Sequence, residues 1–144
     1  MNESLDPNWL GNTEEDEIYK ENILDHFKNP HNFGTLENFT FRNKRLNPVC
    51  GDQIELFLLL KDDKVKNSKF IGEGCAISVA SASMLTDKIK GMNLDELRNL
   101  KEQEILDMIG IRLGPVRIKC GLLCLKTLFE GIAKLEEKNE QISN

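Results

Sequence analysis

Residues 53 to 61 read Gln-Ile-Glu-Leu-Phe-Leu-Leu-Leu-Lys, so that Ile54, Leu56, Leu58 and Leu60 fall on one face of an extended chain. A second run, Val65 to Ile71, follows across a Lys61-Asp62-Asp63-Lys64 turn. A period of two belongs to strands, and two such runs joined by a short polar turn pair antiparallel. Phe57 and Leu59 also put apolar groups on the other face, which asks for a strand that is central or covered on both sides. Phe39 and Phe41, alternating with polar residues, supply a third strand. A three-stranded antiparallel sheet is the expected assembly.

Helical spacing brackets this sheet. From Asp16, residues Ile18, Tyr19, Ile23, Leu24 and Phe27 recur at helical intervals until Asn29-Pro30 ends the segment. After Cys75 the run Ala76-Ile77-Ser78-Val79-Ala80-Ser81-Ala82-Ser83-Met84-Leu85 takes up a helical period built from small residues and stops near Lys90-Gly91. Leu94 to Ile109 predicts one or two short helices. A last helix begins near Val116, after Gly114-Pro115, and runs through Leu122, Leu123, Leu128, Phe129, Ile132 and Leu135. The expected fold is an α+β domain, a three-stranded antiparallel sheet with helices on one side. It occupies residues 17–140, behind a flexible acidic leader, 1–16, that carries Trp9.

Charge divides at nearly the same place. The net charge of -5 over 144 residues hides six acidic and no basic groups in the first 17, leaving 19 basic and 18 acidic for the rest. A nearly neutral body is not the broad basic surface of a nucleic-acid binder. No run of about 18 apolar residues offers a membrane span, and the acidic N-terminus is unlike a secretory signal. A cytoplasmic protein, with no nucleic-acid or membrane partner, is expected.

In a reducing compartment four cysteines are ligands, nucleophiles or core residues rather than disulfide partners. Cys50 lies in Asn47-Pro48-Val49-Cys50-Gly51-Asp52, a turn entering the second strand; Cys75 closes Gly72-Glu73-Gly74-Cys75; Cys120 follows Arg117-Ile118-Lys119 at the start of the last helix. A helix N-terminus or a neighbouring cation lowers a thiol pKa; Cys75 has the first feature, and Cys120, beside Lys119, is expected to have both. Asp52 is placed to add a carboxylate oxygen, giving three sulfurs and one oxygen, a set compatible with zinc or an iron-sulfur cluster. Dispersed single cysteines leave a shared site and separate buried cysteines both open.

The local motifs go further. Ile18-Tyr19 through Ile23-Leu24-Asp25-His26-Phe27-Lys28-Asn29-Pro30 with Asn32 and Gly34, then Asn47-Pro48-x-Cys50-Gly51-Asp52, then Phe70-x-Gly72-x-Gly74-Cys75-x-Ile77-Ser78-x-Ala80-Ser81-Ala82-Ser83-Met84, then Arg117-Ile118-Lys119-Cys120 resemble the iron-sulfur cluster assembly scaffold family of the IscU, SufU and NifU N-terminal type. The resemblance spans about residues 17 to 136. It implies that Cys50, Asp52, Cys75 and Cys120 bind zinc or iron and a transient [2Fe-2S] cluster. It also implies that a cysteine desulfurase supplies sulfur as a persulfide, and that apoproteins receive the cluster. Cys120 is expected to accept the sulfur near the rim of the site.

The pattern is a mosaic within that family. Lys119 stands where the IscU branch has histidine, as in the SufU branch. The 45 residues from Cys75 to Cys120 leave no room for the insertion usual in SufU, and Leu113-Gly114-Pro115-Val116-Arg117 resembles the chaperone-recognition segment of IscU. Two functions follow: a non-enzymatic scaffold, and a zinc-dependent sulfurtransferase that relays persulfide sulfur; a purely structural zinc module is third. Cys124 reads as a core residue and His26 and His31 as structural histidines. Lys119 reads equally as a site group or a solvated helix residue, and Glu73 has no assigned role. Neither a nucleophile elbow nor a phosphate-cradling loop occurs.

Overall fold

The structure, a computed structural model, describes residues 14–143. Helix α1, Glu14–Lys28, gathers Glu14, Glu15, Asp16 and Glu17 in its first turn and His26 and Lys28 in its last, both matched to the helix dipole. It starts two residues ahead of the expected Asp16, so three residues assigned to the leader are helical. Residues 1–13, Trp9 among them, lie outside the described residues. Strands β1, Phe41–Leu46, β2, Gln53–Lys61, and β3, Lys64–Glu73, form one antiparallel sheet in the order β1-β2-β3. Asp62 and Asp63 both take positive φ, 55° and 64°, making the two-residue turn whose twist suits a hairpin.

The register sets Leu58 opposite Phe41 and Leu56 opposite Phe70. Ile54, Leu56, Leu58 and Phe70 are wholly buried, and helices α2, Ala76–Lys88, and α5, Pro115–Ser143, pack on this face. On the other face Phe57 is buried beneath the edge of Phe39, ring centroids 5.9 Å apart, which accounts for the second apolar row of β2. The expected sheet and its helical layer are both present.

Helix α2 is buried at every residue from Ile77 to Thr86, and its small side chains let neighbours come close. The Ser81 hydroxyl donates to the Gly121 carbonyl of α5 at 2.6 Å, and a Cβ on Gly121 would come within 2.9 Å of Ile109 Cδ1. Two short helices, α3, Leu94–Arg98, and α4, Glu102–Ile109, fill the Leu94–Ile109 stretch. Asn93 and Glu96 form a reciprocal cap on α3. Helix α5 starts at Pro115, where a missing N–H costs nothing. Among the described residues no helix is long and apolar enough to cross a membrane.

Candidate metal centre

Three chain segments converge at one end of the sheet: the β1–β2 loop, the β3–α2 junction and the second turn of α5. In the loop, the Asn47 side-chain oxygen accepts Val49 N–H at 3.2 Å, an Asx turn over Pro48, and Gly51 closes the turn at φ +73° with its N–H on the Asn47 carbonyl. This turn carries Cys50 outward and Asp52 inward: Cys50 is exposed while Asp52 is 3% exposed. Cys75 is the N-cap residue of α2 and is half-buried.

Asp52 is the hub. Its Oδ1 accepts the Cys75 backbone N–H at 3.2 Å, and its Oδ2 lies 3.7 Å from Cys75 Sγ. Gly74 is dictated by this approach, because a Cβ there would sit 2.6 Å from Asp52 Oδ1. The Cys120 and Cys50 sulfurs are 3.5 Å apart, and one ligand atom from each of Cys50, Asp52 and Cys120 lies within 4.8 Å of the others. Three of the four predicted donors, Cys50, Asp52 and Cys120, therefore form a tight group, and Cys75 stands outside it, joined through Asp52.

A tetrahedral zinc with Zn–S of about 2.3 Å and Zn–O of about 2.1 Å has S···S edges of about 3.8 Å and S···O edges of about 3.6 Å. The Cys50–Cys120 distance of 3.5 Å and the Cys75–Asp52 distance of 3.7 Å are close to those edges. Three thiols and a carboxylate fit zinc or iron by donor chemistry as well.

Cys120 departs from expectation. It is 1% exposed, beneath Cys50, and not at a rim. It is the sixth residue of α5, past the first turn in which the helix dipole is felt. Burial, then hydrogen bonding with Asp52 and Cys50, then the neighbouring Cys75, hold its thiol well above the ordinary range. The lowered value expected from the helix start and Lys119 is thus reversed, and Lys119 itself is exposed.

Other candidates are placed elsewhere. Cys124 is 1% exposed in the core, and burial alone pushes its thiol up to about 12. His26, in the last turn of α1, and His31, in the loop after it, pack on the far half of α2: Ser83 Oγ lies 2.7 Å from His26 Nδ1 and accepts the His31 backbone N–H at 2.7 Å, while His31 Nδ1 pairs with Asp87. Burial first, then His31, depresses the His26 pKa. Glu73 accepts from Gln53 Nε2 across the strand pair, 2.8 Å, a role sequence reasoning did not assign.

Asn47 and Ser78 were also missed. Asn47, 6% exposed, points Nδ2 at Cys120 Sγ, 3.9 Å away, and the Ser78 hydroxyl donates to Asp52 Oδ2 at 2.5 Å. Their signal was present: an Asn before Pro marks an Asx turn, and a Ser three residues into a helix from Cys75 must point back at the helix start.

Comparison with known proteins identifies the family of the fold that carries these residues. Residues 18–142 match the model of the NifU-like N terminal domain. The chain is 39% identical to the zinc-dependent sulfurtransferase SufU of Bacillus subtilis, covering 86% of this chain and 95% of that protein. It is 34% identical to the iron-sulfur cluster assembly scaffold protein IscU of Thermotoga maritima, covering 82% and 94%. A solved structure, described as a putative iron-sulfur cluster assembly scaffold protein for the SUF system of Fervidobacterium islandicum AW-1, superposes with a TM-score of 0.61 at 31% identity, over 80% of this chain and 96% of that one. Sequence and fold together make the chain a member of the NifU-like N-terminal domain family, alongside SufU and IscU.

Proposed function

We propose that this chain is an iron-sulfur cluster assembly scaffold that takes sulfur from a cysteine desulfurase, builds a labile [2Fe-2S] cluster on Cys50, Asp52, Cys75 and Cys120, and passes it to apoproteins in the cytoplasm. The observation that supports this reading is the grouping of Cys50, Asp52 and Cys120, with Cys75 joined through Asp52, from three separate segments: Cys50 is open to solvent, Cys75 is half-buried, and Asp52 and Cys120 lie inside. The carboxylate is a harder donor than thiolate and holds a cluster less firmly, which suits cargo that must leave. A resident zinc would be held by the same residues and would keep the thiols deprotonated.

Access decides the order of sulfur transfer. Cys50 is the exposed thiol, so its thiolate attacks the outer sulfur of the donor persulfide; a new S–S bond forms at Cys50 as the donor bond breaks, and the donor leaves as a thiolate. Cys120, 3.5 Å away, then takes the same sulfur from Cys50: a new S–S bond forms at Cys120 as the Cys50 S–S bond breaks, and the proton that the buried Cys120 thiol holds passes to the departing Cys50 sulfur. Cys120 thereby keeps the acceptor role assigned to it, but as the second station. Leu46 and Val49, 55% and 57% exposed, flank the loop and offer an apolar rim to the donor protein. Pro115 and Val116 are exposed where α5 begins, which supports the Leu113–Arg117 segment as a chaperone contact.

The second reading is a zinc-dependent sulfurtransferase, supported by the 39% identity to a protein of that description and by Lys119 in place of histidine. Anaerobic reconstitution with ferrous iron, cysteine and a desulfurase separates the two. The scaffold reading expects the visible absorption of a cluster that is lost in Cys50→Ser. Stimulation of the desulfurase with zinc still bound, and no cluster absorption, overturns it in favour of the transferase.

A further inference from the structure

The two oxygens of Asp52 are held by different donors. Oδ1 takes the backbone N–H of Cys75, which is fixed by the helix start, whereas Oδ2 takes the side-chain hydroxyl of Ser78 at 2.5 Å. Ser78 is 1% exposed and its Oγ is also 3.6 Å from Cys75 Sγ, so one buried hydroxyl touches an oxygen and a sulfur of the donor set. Helix formation does not require this arrangement. A helical serine can satisfy its hydroxyl on a carbonyl of the preceding turn, as Thr86 does on the Ala82 carbonyl at 2.8 Å in the same helix. Ser78 instead points into the centre.

We propose that Ser78 is a positioning residue of the metal centre: its hydroxyl locks the Asp52 carboxylate against the N-terminus of α2, with a carboxylate oxygen within 4.8 Å of the Cys50 and Cys120 sulfurs. A carboxylate on a short side chain, held by one backbone donor alone, can still swing about its terminal torsion; a second donor on the other oxygen removes that freedom. Donors behind a ligand fix its orientation in this way and make it available to a metal without further ordering. Asp52 is the oxygen donor of the set, so the grip of the centre depends on a residue that touches no metal. This inference rests on the reading of the four residues as a metal site.

The test is Zn²⁺ affinity, measured by competition with a chromophoric chelator on the full chain. Ser78→Ala should bind Zn²⁺ ~10-fold more weakly, Ser78→Thr should stay within about threefold of wild type, and in an Asp52→Ala background Ser78→Ala should change affinity by less than about twofold. Equal affinity of Ser78→Ala and wild type overturns the proposal. So does an undiminished loss when Asp52 is absent, since a packing defect would not need the carboxylate, or a Thr variant as weak as the Ala one. A wild-type chain that binds no Zn²⁺ at all overturns the metal-site reading itself, and this inference with it.

Discussion

Cys120 and Cys124 are one helical turn apart on α5, equally buried, and yet chemically distinct. Cys120 has Cys50 at 3.5 Å and Asn47 at 3.9 Å, whereas the thiol of Cys124 is raised by burial alone. Cys124→Ser should therefore leave zinc stoichiometry unchanged in metal analysis, while costing about 1–2 kcal/mol of stability in urea unfolding, because it buries a hydroxyl in an apolar site. Loss of metal from that variant would remove Cys124 from the core and put it among the ligands. At this scale the Gly, Asp and turn framing marked Cys50, Asp52, Cys75 and Cys120 as candidates. Dispersed single cysteines left a shared site open, and only the resemblance of the surrounding motifs implied the set of four. The burial of Cys120 was not legible, since proximity to a helix start says nothing of what is stacked above it. Residues 47–52 had to fold over α5 before that thiol was covered.

The elements place these groups through two glycines and a turn. A Cβ at residue 74 would meet the Asp52 carboxylate at 2.6 Å, so Gly74→Ala should push Asp52 out of place and weaken Zn²⁺ binding ~10-fold or more in a chelator competition, the scale of losing an oriented ligand. An unchanged affinity would mean that Asp52 is dispensable to the centre. The hairpin turn makes the opposite kind of statement. Asp63 sits at φ +64°, which a side chain resists and glycine does not, so Asp63→Gly should raise the urea midpoint by an amount corresponding to ~0.5 kcal/mol, leaving metal binding untouched. Strand and helix positions were readable from their periods of two and of 3.6. The start of α1 was set two residues late because acidic residues carry no apolar period, although they are what a helix N-terminus favours.

For the molecule as a whole, the histidine cluster couples stability to pH far along α2 from the metal donors. The folded state holds the His26 pKa below its ordinary 6.5, through burial first and then His31, against the opposing pull of Asp87 and Asp25. A base whose pKa is depressed on folding contributes stability that is complete above its unfolded value and lost as pH falls through the folded one. Asp87, lowered on balance by its hydrogen bonds from His31 and Asn32 against burial, contributes stability lost only at more acid pH, below its ordinary 3.8. The urea midpoint should thus fall between pH 7.5 and pH 5.5, and His26→Gln should flatten that dependence; an equally steep fall in the variant would assign it to other groups. The sequence showed two histidines outside any ligand spacing, but not that Ser83 and Asp87 would gather them.

The bond from Ser81 to Gly121 joins α2 to α5, so Cys75 and Cys120 travel together on the helical layer. Cys50 and Asp52 belong to the connection between β1 and β2, and hence to the sheet. A metal or cluster held by all four, as proposed, would be a clasp with one jaw on each layer, fastened at a single end of the molecule. The protein latches part of that clasp by itself, since Asp52 is bonded to the Cys75 N–H and the Ser78 hydroxyl of α2 and Cys50 lies 3.5 Å from Cys120, so the loop is seated before any cargo arrives.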